Sequence, residues 1–193
     1  MTEQEKALLG KLYDANYDPQ LIAERDEAKY RLRCYNTLDP RDMEQRTAQL
    51  KALLGKTGEH LLIEQPFYCD YGRNIEVGEN FYANVNLVIL DGNKVVIGDN
   101  VFIGPNVGLH TAGHPLNASQ RNQGLEYARP ITIGSNVWIG AGVNVVPGIT
   151  IGSNCVIGAG SIVTRDIPDG VVAVGNPCRP IKTIEPDNLR SHS

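Results

Sequence analysis

The segment ITIGSNVWIGAGVNVVPGITIGSNCVIGAGSIVTRD, residues 131–166, repeats one six-residue pattern without interruption. Each hexad begins with a small or branched residue, continues with a variable residue, and has Ile or Val in third place. This alternation is typical of a short β-strand, and the intervening glycines and asparagines tolerate the backbone angles of a tight corner. A strand and a corner, repeated, predict a coil whose strands stack in parallel around a narrow apolar core.

The pattern extends upstream and breaks once. Further hexads begin at Ile75, Phe81, Leu87, Val95 and Val101. From Val107 to Ile131 the hexad frame persists but its pattern is lost. Because polar residues fill the segment 112–130, we expect it to leave the coil as an excursion loop. Long loops on rigid scaffolds commonly carry function.

The residues before the coil predict helices. Asp18 and Asp39 are each followed by proline, which favours a helix start at each place, and Gly55 or Gly58 should end the second helix. A shorter helix is expected over 2–12. We therefore predict a helical segment at 1–60, a coil domain at 61–184 and a tail at 185–193.

Composition excludes several classes of protein. The chain has 193 residues, 41% hydrophobic and 21% charged, with a net charge of −4. Such a chain has no basic surface for nucleic acid or anionic membranes. It contains no transmembrane-length apolar run and no signal-like start, so we expect a cytoplasmic protein. Its cysteines are scattered and favour reduced thiols, of which Cys69 and Cys155 occupy inward hexad positions.

Five stretches resemble one enzyme family. These are KLYDANYDPQLIAER (11–25), FYCDYGRNIEVGENFYANVN (67–86), TAGHPL (111–116), GLEYARPITIGSNVWIGAGVNVVPGITIGSNCVIGAGSIVTRDIP (124–168) and VGNPCRPIK (174–182). They are similar to the maltose and galactoside O-acetyltransferase branch of the hexapeptide-repeat acyltransferases. The resemblance implies a mainly β protein, a left-handed parallel β-helix of triangular section with N-terminal α-helices. It also implies a homotrimer with each active site in a cleft between subunits.

His114 is the candidate catalytic residue. It lies in the broken part of the repeat and precedes Pro115, and the resemblance implies a general base at this place. A neutral imidazole can accept the proton of a sugar hydroxyl near neutral pH while that hydroxyl attacks a thioester. The expected reaction is direct transfer from acetyl-CoA, with no covalent relay.

The resemblance also implies acceptor-binding residues. The candidates for holding a small sugar are Asp14, Arg25, Asp70, Asn84, Asp91 and Glu126. Asp14 could instead cap a helix end, and Asp70 could serve a coil corner. Asp70 and Gly92 depart from the galactoside pattern, which favours glucose or maltose over β-galactosides.

The donor-binding candidates follow the coil. The resemblance implies that the coenzyme A arm lies along small residues and that cations meet its phosphates. The candidates are Trp138, Ala141, Ala159, Thr164, Arg165, Arg179 and Lys182. Ala141 could also donate its backbone N–H to the oxyanion, whereas Arg165 could be a solvated corner charge.

Other functions remain open. His110 is more simply a pocket wall than a metal ligand, since a typical catalytic zinc site needs three ligands and His60 and His192 lie elsewhere in the chain. We expect no metal. The acceptor could be a non-sugar hydroxyl, as on an antibiotic or amino acid. The chain could also be a noncatalytic scaffold, and titration with coenzyme A separates that case from an enzyme.

Overall fold

The protein is described here by a computed structural model over residues 1–185. The predicted tail beyond residue 185 lies outside these residues, as does His192. The helices are α1 (Glu3–Leu8), α2 (Pro19–Asn36), α3 (Met43–Leu53) and the short α4 (Ala118–Arg121). None of the helices within 1–185 combines the length and apolar character needed to cross a membrane.

The described chain also contains nineteen strands. They are β1 (Tyr13–Asp14), β2 (Leu61–Ile63), β3 (Phe67–Cys69), β4 (Ile75–Val77), β5 (Phe81–Ala83), β6 (Leu87–Leu90), β7 (Val95–Ile97), β8 (Phe102–Ile103), β9 (Gly108–His110), β10 (Ala112–Gly113), β11 (Leu125–Ala128), β12 (Ile131–Ile133), β13 (Trp138–Ile139), β14 (Asn144–Val145), β15 (Thr150–Ile151), β16 (Val156–Ile157), β17 (Ile162–Val163), β18 (Val171–Gly175) and β19 (Cys178–Thr183).

Most strands stack into a parallel β-helix, as the hexads predict, and the β-helix has three faces, as the resemblance implies. The four-stranded face has the order β15-β12-β7-β4, and the five-stranded face has the order β17-β14-β9-β6-β3. The seven-stranded face has the order β19-β18-β16-β13-β8-β5-β2. Only β19 joins its face antiparallel. First and third hexad residues such as Ile131 and Ile133 fill the core, and Cys69 and Cys155 are buried with them.

Two corners of the β-helix matter for function. The groove corner joins the seven-stranded to the five-stranded face and contains Asn84, Gly104, Ala141 and Ala159. The loop corner joins the five-stranded to the four-stranded face and contains Asp70, Asp91 and the whole 112–130 excursion. Asparagines at several corners take positive φ angles, as at Asn136 with φ 58°, which this side chain tolerates better than most.

The long helix α2 begins where the sequence predicts. Asp18 caps it by accepting the backbone N–H of Leu21 at 2.9 Å. The predicted start of α3 at Asp39 is wrong. Asp39 pairs with Arg41 instead, and Asp42 caps the helix through the N–H of Gln45.

The predicted ends of two helices also need correction. α3 stops at Leu53, before either glycine, because the next residues turn onto the coil and Gly55 donates to the carbonyl of Ile75. α1 stops at Leu8 instead of residue 12. Gly10 then takes a φ of 67°, and the chain continues into β1.

Candidate active site

The excursion loop forms a small antiparallel sheet with the N-terminal segment. β11 pairs with β10 on one side and with β1 on the other, placing Tyr13 opposite Glu126. Asn93 reinforces this arrangement by donating to the carbonyls of Ala7 and Ala128 at 2.9 and 3.1 Å. The loop is therefore anchored by residues far away in the chain.

His114 is held in a defined orientation at the start of this loop. Its Nδ1 lies 3.1 Å from the carbonyl oxygen of Leu125. A carbonyl can only accept a hydrogen bond, so the neutral ring carries its proton on Nδ1 and its lone pair on Nε2. Half of the side chain is exposed, with Nε2 3.9 Å from Oε1 of Glu126. The arrangement can accept a proton at Nε2 and stabilise the resulting imidazolium.

Tyr13 holds the other oxygen of Glu126. The phenol donates to Oε2 at 3.1 Å, and Tyr13 is only 2% exposed. Burial and the negative charge of Glu126 raise the pKa of Tyr13 well above its ordinary value, so the phenol remains a donor. Gly92 makes room for it, because a Cβ there would lie 2.9 Å from the phenol oxygen.

Three of the predicted acceptor residues lie close enough to interact electrostatically. They are Arg25, Asp70 and Glu126. Arg25 donates to the hydroxyl of Tyr71 at 2.8 Å. Burial, followed by the charges of Asp91 and Glu126, raises the pKa of Asp70 from 3.8 to about 6, whereas Arg25 opposes this rise. A perturbed carboxylate beside a basic group is typical of functional sites.

Two predicted acceptor residues have structural roles. Asp91 is fully buried, and its carboxylate accepts the backbone N–H groups of Asp70 and Tyr71 at 3.0 and 2.8 Å. Its expected contact with the sugar is therefore wrong, since the structure leaves it no open side. Asp14 uses Oδ1 to accept the N–H groups of Asn16 and Tyr17, a turn interaction that leaves only Oδ2 for an acceptor.

A groove of about 810 Å³ runs along the groove corner. Exposed apolar side chains form one wall, with Phe102 52% and Trp138 58% exposed, and Ala141 and Ala159 also line the groove. Among the hydrogen bonds within 1–185, none uses the backbone N–H of Ala141 or Ala159. The groove thus offers an apolar channel and unpaired donors, which suit an amide-containing apolar arm.

The remaining candidates, one predicted for the acceptor and four for the donor, lie at three places. Asn84 lines the groove, with its Oδ1 already accepting the N–H of Val85. Thr164 and Arg165 are exposed at the loop corner, directly after β17. Arg179 and Lys182 lie on β19, at the end of the seven-stranded face.

The candidate residues consequently form two groups within one chain. His114, Glu126 and Asp70 belong to the loop corner, whereas Ala141 and Ala159 belong to the groove corner. The corners of a triangular β-helix run along separate edges of the solenoid, so residues at two different corners lie apart. A single chain therefore presents the proton acceptor and the donor groove at separate places.

His110 has a local structural partner. Its Nε2 lies 3.0 Å from Oδ1 of Asn144, above Gly108, and its Nδ1 is buried without a partner in the described chain. Over residues 1–185, His, Cys, Asp and Glu side chains form no group of three that could hold a metal ion.

The comparisons with known proteins agree with the repeat and the N-terminal helices. A family described as maltose acetyltransferase hexapeptide capping motif matches residues 6–58. Bacterial transferase hexapeptide repeats match 130–165, and the hexapeptide repeat of succinyl-transferase matches 94–113.

Three relatives cover nearly the whole chain. A putative acetyltransferase of Saccharomyces cerevisiae is 61% identical over 93% of this chain and 92% of its own. A maltose O-acetyltransferase structure from Clostridium difficile has a TM-score of 0.94 and 54% identity, covering 96% and 99% of the two chains. A galactoside acetyltransferase in complex with coenzyme A has a TM-score of 0.92 and 47% identity, covering 96% and 92%.

These findings define an acyl-transferring enzyme class built on hexapeptide repeats. Within that class, the chain belongs to the maltose and galactoside O-acetyltransferase family.

Sequence reasoning missed two tyrosines of the site. Tyr13 binds Glu126, and Tyr71 binds Arg25. Tyr71 lies inside the stretch CDYG and Tyr13 directly precedes Asp14, so both were adjacent to residues that the sequence did single out. Their partners are distant in the chain, and periodicity carries no information about such contacts.

Proposed function

We propose that this chain is an acetyl-CoA-dependent O-acetyltransferase that acetylates a hydroxyl of a small sugar such as glucose or maltose. The observation that carries the proposal is the orientation of His114. Its Nδ1 is committed to the Leu125 carbonyl, and its Nε2 is available beside the carboxylate of Glu126.

His114 acts as the general base in the proposed reaction. Its Nε2 takes the proton of the acceptor hydroxyl while that oxygen attacks the acetyl carbonyl. The C–S bond then breaks, and the proton passes from Nε2 to the departing thiolate, which leaves as a thiol. A general base of this kind contributes about 10²–10⁴-fold to the rate.

The groove is the proposed site for acetyl-CoA. Trp138 and the neighbouring apolar side chains cover the pantetheine arm, and the backbone N–H of Ala159 is available to its amides. The N–H of Ala141, which has no partner in the described chain, is proposed to donate to the carbonyl oxygen as it becomes negative. Arg179 and Lys182 are proposed for the phosphate end, together with Thr164 and Arg165 from the loop corner of a neighbouring subunit.

The assembly proposed for this enzyme is a homotrimer. Since the groove and His114 lie at different corners of one chain, a complete site needs the groove of one subunit beside the loop of the next. Closed threefold symmetry supplies three equivalent sites of this kind. Asn84 would face the acceptor from the groove side.

Asp70 is the residue on which we base the proposed acceptor preference. An ionised carboxylate only accepts hydrogen bonds, whereas a serine hydroxyl both accepts and donates. Asp70 therefore orients sugar hydroxyls differently from a hydroxyl side chain. A wrong epimer leaves a buried polar group unpaired, which costs about 1–3 kcal/mol. We propose that this difference favours glucose or maltose over β-galactosides.

Thiol release from acetyl-CoA tests the function. We expect thiol release with glucose or maltose. The kcat/KM should be higher for glucose than for a β-galactoside, and the ratio of these two kcat/KM values should be smaller in Asp70→Ser than in the wild type. Release only with antibiotic or amino-acid hydroxyls would contradict the sugar proposal. Failure to bind coenzyme A by calorimetry would instead favour a noncatalytic scaffold.

A further inference from the structure

A second cavity adjoins the proposed acceptor site and has no part in the reaction described above. It has a volume of about 490 Å³ and lies between α2 and the outer surface of the five-stranded face. This size falls within the usual range for small-molecule sites. Its lining comprises Lys29, Leu32, Arg33, Asn36, Thr37, Tyr68, Cys69, Asp70 and Leu90.

The cavity and the proposed acceptor site share Asp70. This residue lines the cavity, and its carboxylate is close enough to Arg25, Glu126 and Lys29 to interact with their charges. Arg25, Lys29 and Arg33 are spaced by four residues and so lie along one side of α2. A molecule held at Asp70 can therefore extend along α2 into the cavity.

The walls combine an aromatic surface with hydrogen-bonding groups. Tyr68 is 50% exposed on β3, and the apolar residues Leu32 and Leu90 lie nearby. Asn36 is fixed, because both its amide atoms bond the backbone of Phe67. An aromatic face beside donors and a carboxylate suits a sugar ring, which has an apolar C–H face and polar hydroxyl edges.

The charges favour a neutral occupant. Nζ of Lys29 lies 3.5 Å from Oδ1 of Asp26, which compensates its charge. Asp70 supplies a negative group on the cavity wall. Of the two cations that line the cavity, Arg33 alone makes no ion pair among the salt bridges found within 1–185. One uncompensated exposed cation is a poor phosphate site, whereas its donors can serve hydroxyl groups.

We propose that this cavity is a subsite for the second sugar ring of a disaccharide acceptor, with Tyr68 as its stacking surface. The inference rests on the proposed sugar O-acetylation. It makes Tyr68 and Arg33 specificity determinants that distinguish a disaccharide from a monosaccharide, whereas the acetylated ring lies at Asp70 and His114.

The test compares kcat/KM for maltose and glucose in the full-length enzyme. Tyr68→Ala should lower the value for maltose about tenfold and leave that for glucose within about twofold, since only the second ring loses its stacking partner. Tyr30→Ala is the matched control, because Tyr30 is an exposed tyrosine on α2 that does not line the cavity. It should change neither value.

Light scattering checks that Tyr68→Ala keeps the wild-type assembly. If the assembly of Tyr68→Ala is altered, the same comparison of maltose and glucose in Arg33→Ala tests the subsite instead. Equal losses for both sugars, or no loss for maltose in either variant, would overturn the subsite and leave the proposed function intact. Wild-type turnover of glucose but not maltose would also overturn the subsite. Wild-type turnover of neither sugar would overturn the proposed function and the subsite together.

Discussion

Tyr13 donates a 3.1 Å hydrogen bond to Oε2 of Glu126, although 113 positions separate the two residues in the chain. The contact arises because β1 and β11 pair with these residues opposite each other. The other oxygen of Glu126 lies 3.9 Å from Nε2 of His114. A tyrosine from the N-terminal segment thereby orients the carboxylate nearest the proposed base.

Tyr13→Phe should lower kcat about tenfold with little change in the KM for acetyl-CoA. The substitution removes one hydrogen bond of about 1–1.5 kcal/mol and keeps the buried ring. Tyr13 acts through Glu126, so Tyr13→Phe should have no further effect on kcat in a Glu126→Ala background. Steady-state kinetics of the two single variants and the double variant measure this coupling.

Tyr127→Phe is the control for that cycle. Tyr127 neighbours Glu126 on β11, and its hydroxyl makes no hydrogen bond to another described residue. This variant should retain the wild-type kcat. Additive losses in the Tyr13→Phe and Glu126→Ala double variant would show that Tyr13 has only a structural role.

His114→Ala should slow turnover about 10²–10⁴-fold while leaving folding and coenzyme A binding intact. Its side chain is half exposed and makes one hydrogen bond, to the Leu125 carbonyl, so its loss leaves the core unchanged. Calorimetric binding of coenzyme A and thiol release measure the two properties separately. A near wild-type rate would rule out His114 as the base.

Mixed trimers should recover activity that neither parent has. Ala141→Glu fills the groove with a carboxylate that repels the cofactor's phosphates, and His114→Ala removes the base from the other corner. Random mixing of the two inactive chains leaves about one quarter of the sites intact if each site uses two subunits. Coexpression followed by light scattering and thiol release checks this. A trimer with no recovered activity would place each site within one chain.

Asp70→Asn should stabilise the protein at pH 8. The folded-state pKa of Asp70 is raised from 3.8 to about 6, so between these values the native state binds more protons than the unfolded state. Stability therefore falls as pH rises from about 4 to 6, and the full penalty applies above that range. Removing the charge should add roughly 1–3 kcal/mol at pH 8.

The increase in the free energy of unfolding caused by Asp70→Asn should become smaller as pH falls from 8 to 5. Thermal unfolding of both proteins at pH 8 and pH 5 tests the sign of this pH dependence. Asp26→Asn is the control, since the Asp26 side chain is 68% exposed and should give little change. A gain that is equal at both pH values would contradict the assignment to Asp70 ionisation.

The repeat determined the coil because its information is local. Each hexad specifies its own inward residues and its own corner, so Ile131, Ile133 and Cys155 are buried as the sequence predicts. The helix start at Asp18 is equally local, since the cap and its partner Leu21 are three residues apart. The resemblance added His114, which no periodic pattern identifies as a base.

The tertiary structure decided what depends on contacts between distant segments. Asp91 is a suitable sugar ligand by residue type, yet its side chain is buried and accepts hydrogen bonds from the backbone N–H groups of Asp70 and Tyr71. The pairing of Tyr13 with Glu126 and the placement of His114 away from Ala141 depend on how the chain wraps around the coil. A six-residue period is the same on every edge of a triangle, so folding in three dimensions decides which side chains meet.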